Sequence, residues 1–234
     1  MRRSIIGLLV LSTGAFGCGG GSGASTTSQA AVSTTGAVAT TTTAPEATTT
    51  SAPPAAVFTA EDLPMAVLTD GDPWVVPIVG AQQFPLTLDD IWPIENFPEE
   101  RPVYEGAGFQ AGSFSAFIEE GALVITGAHL FADAAGASVA LDLIESSFMD
   151  TELIAAITDL EPGALTAAES LESSVGDRSA AVLATGPDFQ VVGVIWTQGN
   201  LLQFVRIGMV VGDDARQAAT FDLAEAIAAR VAGG

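Results

Sequence analysis

The segment FQVVGVIWTQGNLLQFVRIGMVV, Phe189 to Val211, decides the architecture. Phe189 to Thr197 and Leu201 to Val211 are rich in Val, Ile, Leu and aromatic residues, which fit a pleated, buried surface. Gly199-Asn200 between them tolerates the backbone of a tight turn, so the segment reads as two antiparallel strands. In the second strand the odd positions Leu201, Val205, Ile207, Met209 and Val211 are apolar, while the even ones mix Leu202, Phe204 and Val210 with Arg206. Its second face is therefore partly covered, either by a proline-rich wrap from upstream or by a ligand. Ala180 to Ala184 adds a third strand across Thr185-Gly186-Pro187-Asp188.

The flanks extend the pattern in both directions. After the strands, Asp213 and Asp214 open a helix to Val231, with Ala224, Ile227, Ala228 and Val231 inward, acids at its positive end and Arg230 at its negative end. Before them, Phe114, Ala116 and Ile118 alternate with Ser113, Ser115 and Glu119. Beyond the Glu120-Gly121 turn Leu123, Ile125, Gly127, His129 and Phe131 alternate again, which makes a hairpin. Asp133 then caps a helix carrying Ala137, Ala140, Leu141, Ile144 and Phe148 on one face, with Ser138, Asp142 and Glu145 outside. A short helix over Thr151 to Leu160, with Ile154, Ile157 and Leu160 near one side, stops at Glu161-Pro162-Gly163. Comparing Gly121-Ala122-Leu123-Val124 with Gly199-Asn200-Leu201-Leu202 hints at a ββα unit used twice.

Between Thr59 and Gly112 the chain holds Pro64, Pro73, Pro77, Pro85, Pro93, Pro98 and Pro102, a spacing no long helix survives. Glu61-Asp62-Leu63-Pro64 reads as a short turn, Val75 to Val79 and Phe84 to Leu88 as short edge strands, and Trp74, Trp92, Phe97 and Tyr104 as aromatic pins holding this wrap on the domain. Hairpin-spaced strands interleaved with helices, without β-α-β alternation, predict an α+β domain: an antiparallel sheet packed on one face by helices, in two layers.

The N-terminus reads as an address. Arg2 and Arg3 precede an apolar run from Ile5 to Leu11, far shorter than the ~20 residues a bilayer span needs, which makes residues 1–17 a signal peptide. Ala15-Phe16-Gly17-Cys18 resembles a bacterial lipobox, in which Cys18 becomes the lipidated first residue, carrying acyl chains such as palmitate. The match departs from the usual pattern at Ala15, where Leu is commoner, and an ordinary secretory signal with an incidental Cys18 is the alternative. Of the 38 residues from Gly19 to Ala56, 34 are Ser, Thr, Ala, Gly or Pro, so 18–56 is a lipidated Cys and a disordered tether. As a flexible coil it spans about 35 Å. Residues 57–234 form a single α+β globular domain.

Charge narrows the partners. The chain of 234 residues carries 7 Lys+Arg against 28 Asp+Glu, a net of −21, which rules out a nucleic-acid binder held by a basic face. Beyond the tether there are five Arg, no Lys, and acids enough to repel anionic headgroups, so membrane contact comes from the lipid and not from the protein surface. One Cys forbids an intramolecular disulfide, and one His removes multi-histidine metal sites.

Leu63-Pro64, Val103-Tyr104-Glu105-Gly106, Phe131-Ala132-Asp133-Ala134, Gly176-Asp177, Gly199-Asn200 and Leu223-Ala224-Glu225-Ala226-Ile227-Ala228 together resemble actinobacterial envelope lipoproteins of poorly defined function. Those are similar in turn to the extracytoplasmic sensor domains of mycobacterial receptor kinases and to PsbP-like domains. The resemblance covers about Glu61 to Val231. It implies an α+β fold with a central antiparallel sheet and a cleft, and a binding or sensing module; it transfers no catalytic residue.

Candidate chemistry is sparse. His129 reads as a core or edge histidine bonded to backbone, ahead of a pH-switching or catalytic one. Thr69-Asp70-Gly71-Asp72 matches half a calcium loop but lacks the later oxygen ligands and the closing Glu, so it reads as a turn. Asp89-Asp90, Glu95 and Glu99-Glu100 read as a solvated acidic run, with a hard-cation site as the alternative. No Gly-x-Ser-x-Gly elbow, P-loop or dinucleotide fingerprint is present. Asp177, Arg178 and Arg206 are the candidate ligand-binding residues: Gly176-Asp177-Arg178-Ser179 offers an acid, a base and a hydroxyl before a strand, and Arg206 either pairs with an acid of the wrap or waits for an anionic ligand.

The expectation is a lipid-anchored extracytoplasmic binding or sensor-like domain on the outer face of the cytoplasmic membrane, or secreted. It is non-catalytic, has no cofactor or metal, and serves an unknown small molecule or envelope protein. A carrier of apolar molecules such as lipids is the alternative, to be recognised by a large apolar cavity. A cell-wall hydrolase using paired carboxylates is a second.

Overall fold

The structure, a computed structural model, describes residues 56–92, 98–158 and 160–233. The signal segment, Cys18, the tether up to Ala55, and Pro93, Glu95 and Phe97 of the wrap lie outside the described residues, as does the side chain of Ile157.

Seven strands form one sheet: β1 (Gln82–Leu86), β2 (Phe109–Glu119), β3 (Ala122–Phe131), β4 (Ala167–Leu171), β5 (Arg178–Thr185), β6 (Phe189–Gln198) and β7 (Leu201–Val210). Their order is β1-β2-β3-β7-β6-β5-β4, and every neighbouring pair is antiparallel. The helices are a 3₁₀ turn (Ala60–Met65), α1 (Leu88–Ile91), α2 (Glu100–Gly106), α3 (Ala134–Ser147), α4 (Thr151–Ile157) and α5 (Asp214–Gly233). The α+β class, the antiparallel sheet, the β2–β3 hairpin, the three C-terminal strands and the helices after Asp133, Thr151 and Asp213 are as the sequence predicts.

The layer count differs. On β6, Val192, Val194 and Trp196 pack with Leu223, Ala224 and Ile227 of α5, whereas Val191 and Ile195 pack with Ala137, Leu141 and Phe148 of the α3 region and Ile154 of α4. Successive strand residues point to opposite faces, so helices cover both sides of the sheet and the domain has three layers, not two. The cause is legible in the side chains: Val191 to Trp196 are all buried apart from the question of which face they serve, and each buried Val, Ile or Leu is worth roughly 1.5–3 kcal/mol. A sheet whose middle strands are apolar on both sides must be covered twice.

The two ββα units, β2-β3-α3 and β6-β7-α5, meet at β3 and β7, yet their helices sit on opposite faces. A two-fold rotation relating antiparallel neighbours would keep both helices on one face. The units share an order of elements and no symmetry.

The proline-rich segment differs too. Val75–Val79 forms no strand; only Gln82–Leu86 pairs, against β2. Pro73 and Pro77 cannot donate to a ladder, and the chain runs instead as a strap whose Leu68 and Ile78 enter the α5-side core. Arg230, near the end of α5, clamps it: Nε donates to the Met65 carbonyl (2.8 Å), Nη2 to the Val67 carbonyl (2.8 Å), and Nη1 to Asp72. Trp74 packs on the same core and donates to Glu119 (3.0 Å). Sequence reading missed α2, whose Pro102 is tolerated in a first turn, and the short edge strand β4, whose Ala-Ala-Glu-Ser-Leu shows no strand-like alternation.

Gly136 gives the sharpest packing test. Ala is normally better than Gly by about 1 kcal/mol inside a helix. Here a Cβ would stand 2.0 Å from the Ala107 carbonyl oxygen, which belongs to the turn after α2. Gly136→Ala is therefore expected to destabilise the domain by about 1–3 kcal/mol in chemical denaturation, the reverse of the propensity effect.

Candidate functional site

The residues singled out from sequence do not converge. Asp177 sits in the turn before β5, where Gly176 has φ +67°. Its Oδ2 accepts from the Gly199 amide (2.7 Å), and its own amide donates to the Thr197 carbonyl (2.7 Å). Asn200, next in the β6–β7 turn, donates from Nδ2 to the carbonyls of Phe58 (3.1 Å) and Phe131 (2.9 Å) and accepts from the Phe58 amide (2.7 Å). Gly176-Asp177, Gly199-Asn200 and the end of β3 thus form one hydrogen-bonded hub that holds the start of the folded chain. These short motifs are architecture.

Arg178 begins β5 and donates to Asp142 of α3 (2.8 Å), with Glu145 at 3.8 Å. The pair is largely solvated, worth little in stability. Arg178 shares a sheet face with Arg206, since Val182 is level with Gly193 and Gly193 with Arg206. The separation is about 13 Å along the strands and about 10 Å across them, too far to grip one small ligand.

Arg206 stands apart. It lies on β7, the central strand, facing the α3–α4 side, and is 8% exposed. The other four arginines of the domain each meet a carboxylate: Arg101 meets Asp89 and Glu105, Arg178 meets Asp142, Arg216 meets Glu119 and Asp213, and Arg230 meets Asp72. Arg206 has no hydrogen bond or ion pair among the described residues. Its guanidinium carbon lies 6.0 Å from the centre of the Phe148 ring, a cation–π contact. Gly193 beside it makes room for that ring, because a Cβ there would come within 3.0 Å of Phe148. Burial lowers the Arg206 pKa to about 10, so the side chain stays charged at neutral pH. Of the two readings of Arg206, pairing with an acid of the wrap does not occur among the described residues: Asp72 of the wrap is held by Arg230 and Asp89 and Glu105 by Arg101.

His129 is bonded to a side chain and not to backbone: the Tyr104 hydroxyl lies 2.9 Å from Nδ1. Rings of Tyr104, Phe109 and Phe204 stand edge-on around the imidazole at 5.8, 6.0 and 5.8 Å. Burial alone pushes the His129 pKa down to about 4, and burial also raises the Tyr104 pKa. The imidazole is neutral at pH 7 and shares one hydrogen bond with the Tyr104 hydroxyl. Apart from the Tyr104 hydroxyl, no acid or nucleophile bonds to His129 among the described residues.

The acidic motifs resolve as turns and caps. Asp72 accepts from the amide of Thr69 (2.8 Å), and Asp70 accepts from the amide of Ala81 (2.9 Å). Asp90 accepts from the amide of Thr87 (2.7 Å) in a capping box. The described acids that are most buried, Asp72 and Glu119, are each held by an arginine, Arg230 and Arg216. No group of three or more His, Cys, Asp or Glu able to hold a metal occurs among the described residues.

Grooves open on the surface of the described residues. One of about 250 Å³ lies between Pro73–Val75 and the first turns of α5; one of about 170 Å³ lies between Val79–Gln82 and Ala116–Ile118 of β2. Neither is an enclosed cavity within the sheet layers.

The fold class is thus an α+β domain with a seven-stranded antiparallel sheet between helical layers. It is similar to the extracellular domain of PknH from Mycobacterium tuberculosis, with a TM-score of 0.48 and 14% identity over 76% of this chain and 99% of that one. A putative uncharacterized protein from Mycobacterium smegmatis gives a TM-score of 0.34 and 14% identity over 65% of this chain and 88% of that one. No family model and no curated protein matches the sequence.

The buried imidazole predicts an acid sensitivity with a definite window. The unfolded chain takes up the His129 proton near pH 6.5, the folded chain only near pH 4, so acidification between those values favours unfolding. The loss attributable to His129 is about 3 kcal/mol and is complete below pH 4. In denaturant titrations His129→Gln, which keeps an acceptor for Tyr104, is expected to flatten the stability profile between pH 6.5 and 4; an unchanged slope would show that His129 titrates normally in the fold.

Proposed function

We propose that this protein is a lipid-anchored extracytoplasmic binding domain, sensor-like and non-catalytic, whose ligand contact is Arg206. The observation that carries the reading is the order of segments: a basic and apolar leader, Cys18, a tether of small and polar residues, and then a folded domain. Lipidated Cys18 holds the chain to the outer face of the membrane, and a coil spanning about 35 Å sets the domain clear of it. The strongly acidic domain is repelled by anionic headgroups, which favours the lipid as the membrane contact. Among the described residues no helix is long and apolar enough to cross a membrane.

The binding part rests on Arg206. A buried cation without a partner is costly in a folded domain, and an anion from outside would relieve that cost. Asp177 and Arg178 belong to this reading as supports, the first fixing the Gly199 turn and the second tying β5 to α3. The absence of catalysis is supported by a sole histidine enclosed in aromatic rings and by buried acids already neutralised by arginine.

Location is tested in an actinobacterial host by fractionation and by mass spectrometry of the mature N-terminus. The wild-type chain is expected in the membrane fraction, beginning at an acylated Cys18, with Cys18→Ala released to the soluble envelope or medium. A Cys18→Ala chain that stays with the membrane would sink the anchoring argument.

A further inference from the structure

We infer that the open quarter of the sheet beside Arg206 is a seat for an aliphatic carboxylate, the carboxylate on Arg206 and the chain across β3 and β2. The inference rests on the reading of Arg206 as the ligand contact and adds the chemical class of the ligand.

The register places the groups. Ala116 of β2, Ile125 of β3 and Arg206 of β7 are level across three adjacent strands, and Ile118 and Leu123 form the next pair toward the β2–β3 turn. All five point to the face that carries Phe204 and Phe148: Arg206 is two residues from Phe204, Ile125 and Leu123 are even steps from Phe131, and Ala116 and Ile118 are their direct partners on β2. The helical side reaches β7, where Thr158 lies 3.9 Å from where a Cβ on Gly208 would stand, and Ile125 is still buried, but the cover thins toward β2. Ala116, Leu123 and Phe204 are only half-buried, and Ile118 is 62% exposed although apolar. Cover therefore falls off outward from Arg206 and Ile125, which are buried, through half-buried Ala116 and Leu123 to exposed Ile118.

Three features select the ligand. First, one guanidinium offers paired donors suited to a carboxylate, and no second cation lies within reach, which favours a single negative charge over a phosphate dianion. Second, a net charge of −21 repels polyanions and anionic membrane surfaces. Third, the atoms around the guanidinium and along the way out are apolar, from Phe148 and Ile125 to Ile118, so the body attached to the carboxylate must be apolar as well. The run from Arg206 to Ile118 is about 12 Å, the reach of a medium-length acyl chain. The groove of about 170 Å³ beside Ala116 and Ile118 receives its far end at the sheet edge.

The experiment is thermal unfolding of the full, unlipidated chain with sodium decanoate, decanol, acetate or inorganic phosphate. Decanoate at a hundredfold excess over its Kd is expected to raise the midpoint by about 5–10 °C, with decanol and acetate each giving less than half of that. Arg206→Met is expected to unfold at a higher temperature than wild type without ligand, because an unpaired buried charge is gone, and to lose the decanoate response. Ile118→Asp, at an exposed site that folding does not need, is expected to weaken the decanoate response while Arg206 is intact. An equal decanoate rise in Arg206→Met, or a rise with decanol as large as with decanoate, overturns the proposal. A phosphate response that requires Arg206, with none to decanoate, rejects the aliphatic class and keeps the anion site. If none of these anions acts through Arg206, both this inference and the binding role of Arg206 fall.

Discussion

Everything in the domain answers to one constraint: β6 and β7, at the middle of the sheet, present apolar side chains to both faces. Val192, Val194 and Trp196 need cover on one side, Val191 and Ile195 on the other. The chain meets both needs by sending α5 to one face and α3 with α4 to the other, while the strap from Ala60 to Ile78 completes the α5 side. Arg206 is the departure from this rule. It occupies a position that hydrophobic burial would fill with Val or Leu, and natural sequences keep such locally unfavourable residues mainly where something other than stability requires them.

The remaining arginines show what this chain does with a cation when stability is the purpose. Arg230 gathers two strap carbonyls and Asp72, and Arg216 ties Asp213 at the start of α5 to Glu119 at the end of β2. Each one bridges elements far apart in sequence. In a domain so rich in acids, every surface arginine finds a carboxylate without difficulty, which makes the isolation of the fifth one the more informative. The same contrast separates Asp177 from Arg206: the first is engaged in holding the Gly199 turn, the second is engaged with an aromatic ring and little else.

One end of the sheet is held by hydrogen bonds as well as by the packing of Leu63, Val67, Leu130, Leu201 and Val231. Asn200 joins the β6–β7 turn to Phe131 and to Phe58, where the described chain begins, and Asp177 braces the same turn. Two of the segments through which the sequence resembles envelope lipoproteins, Gly176-Asp177 and Gly199-Asn200, lie here. They mark backbone turns whose geometry restricts the side chain, as with Gly176, where a Cβ would stand 2.4 Å from the Thr197 carbonyl oxygen. A resemblance carried by such residues speaks to fold and leaves the ligand open.

The sequence by itself determined the inner strands β2, β3, β5, β6 and β7, their hairpin pairings and the starts of three helices, because alternation, turn residues and the Asp133 cap are local signals between near neighbours. The second helical layer was foreshadowed by the apolar even positions of β7, but whether strap, ligand or helix would cover them depended on where α3 lands, a long-range matter. Tertiary structure alone decided which charges are paired. Arg178 and Arg206 look alike along the chain, and only the placement of α3 beside one and of Phe148 over the other makes the first a surface tie and the second a buried, unpartnered cation.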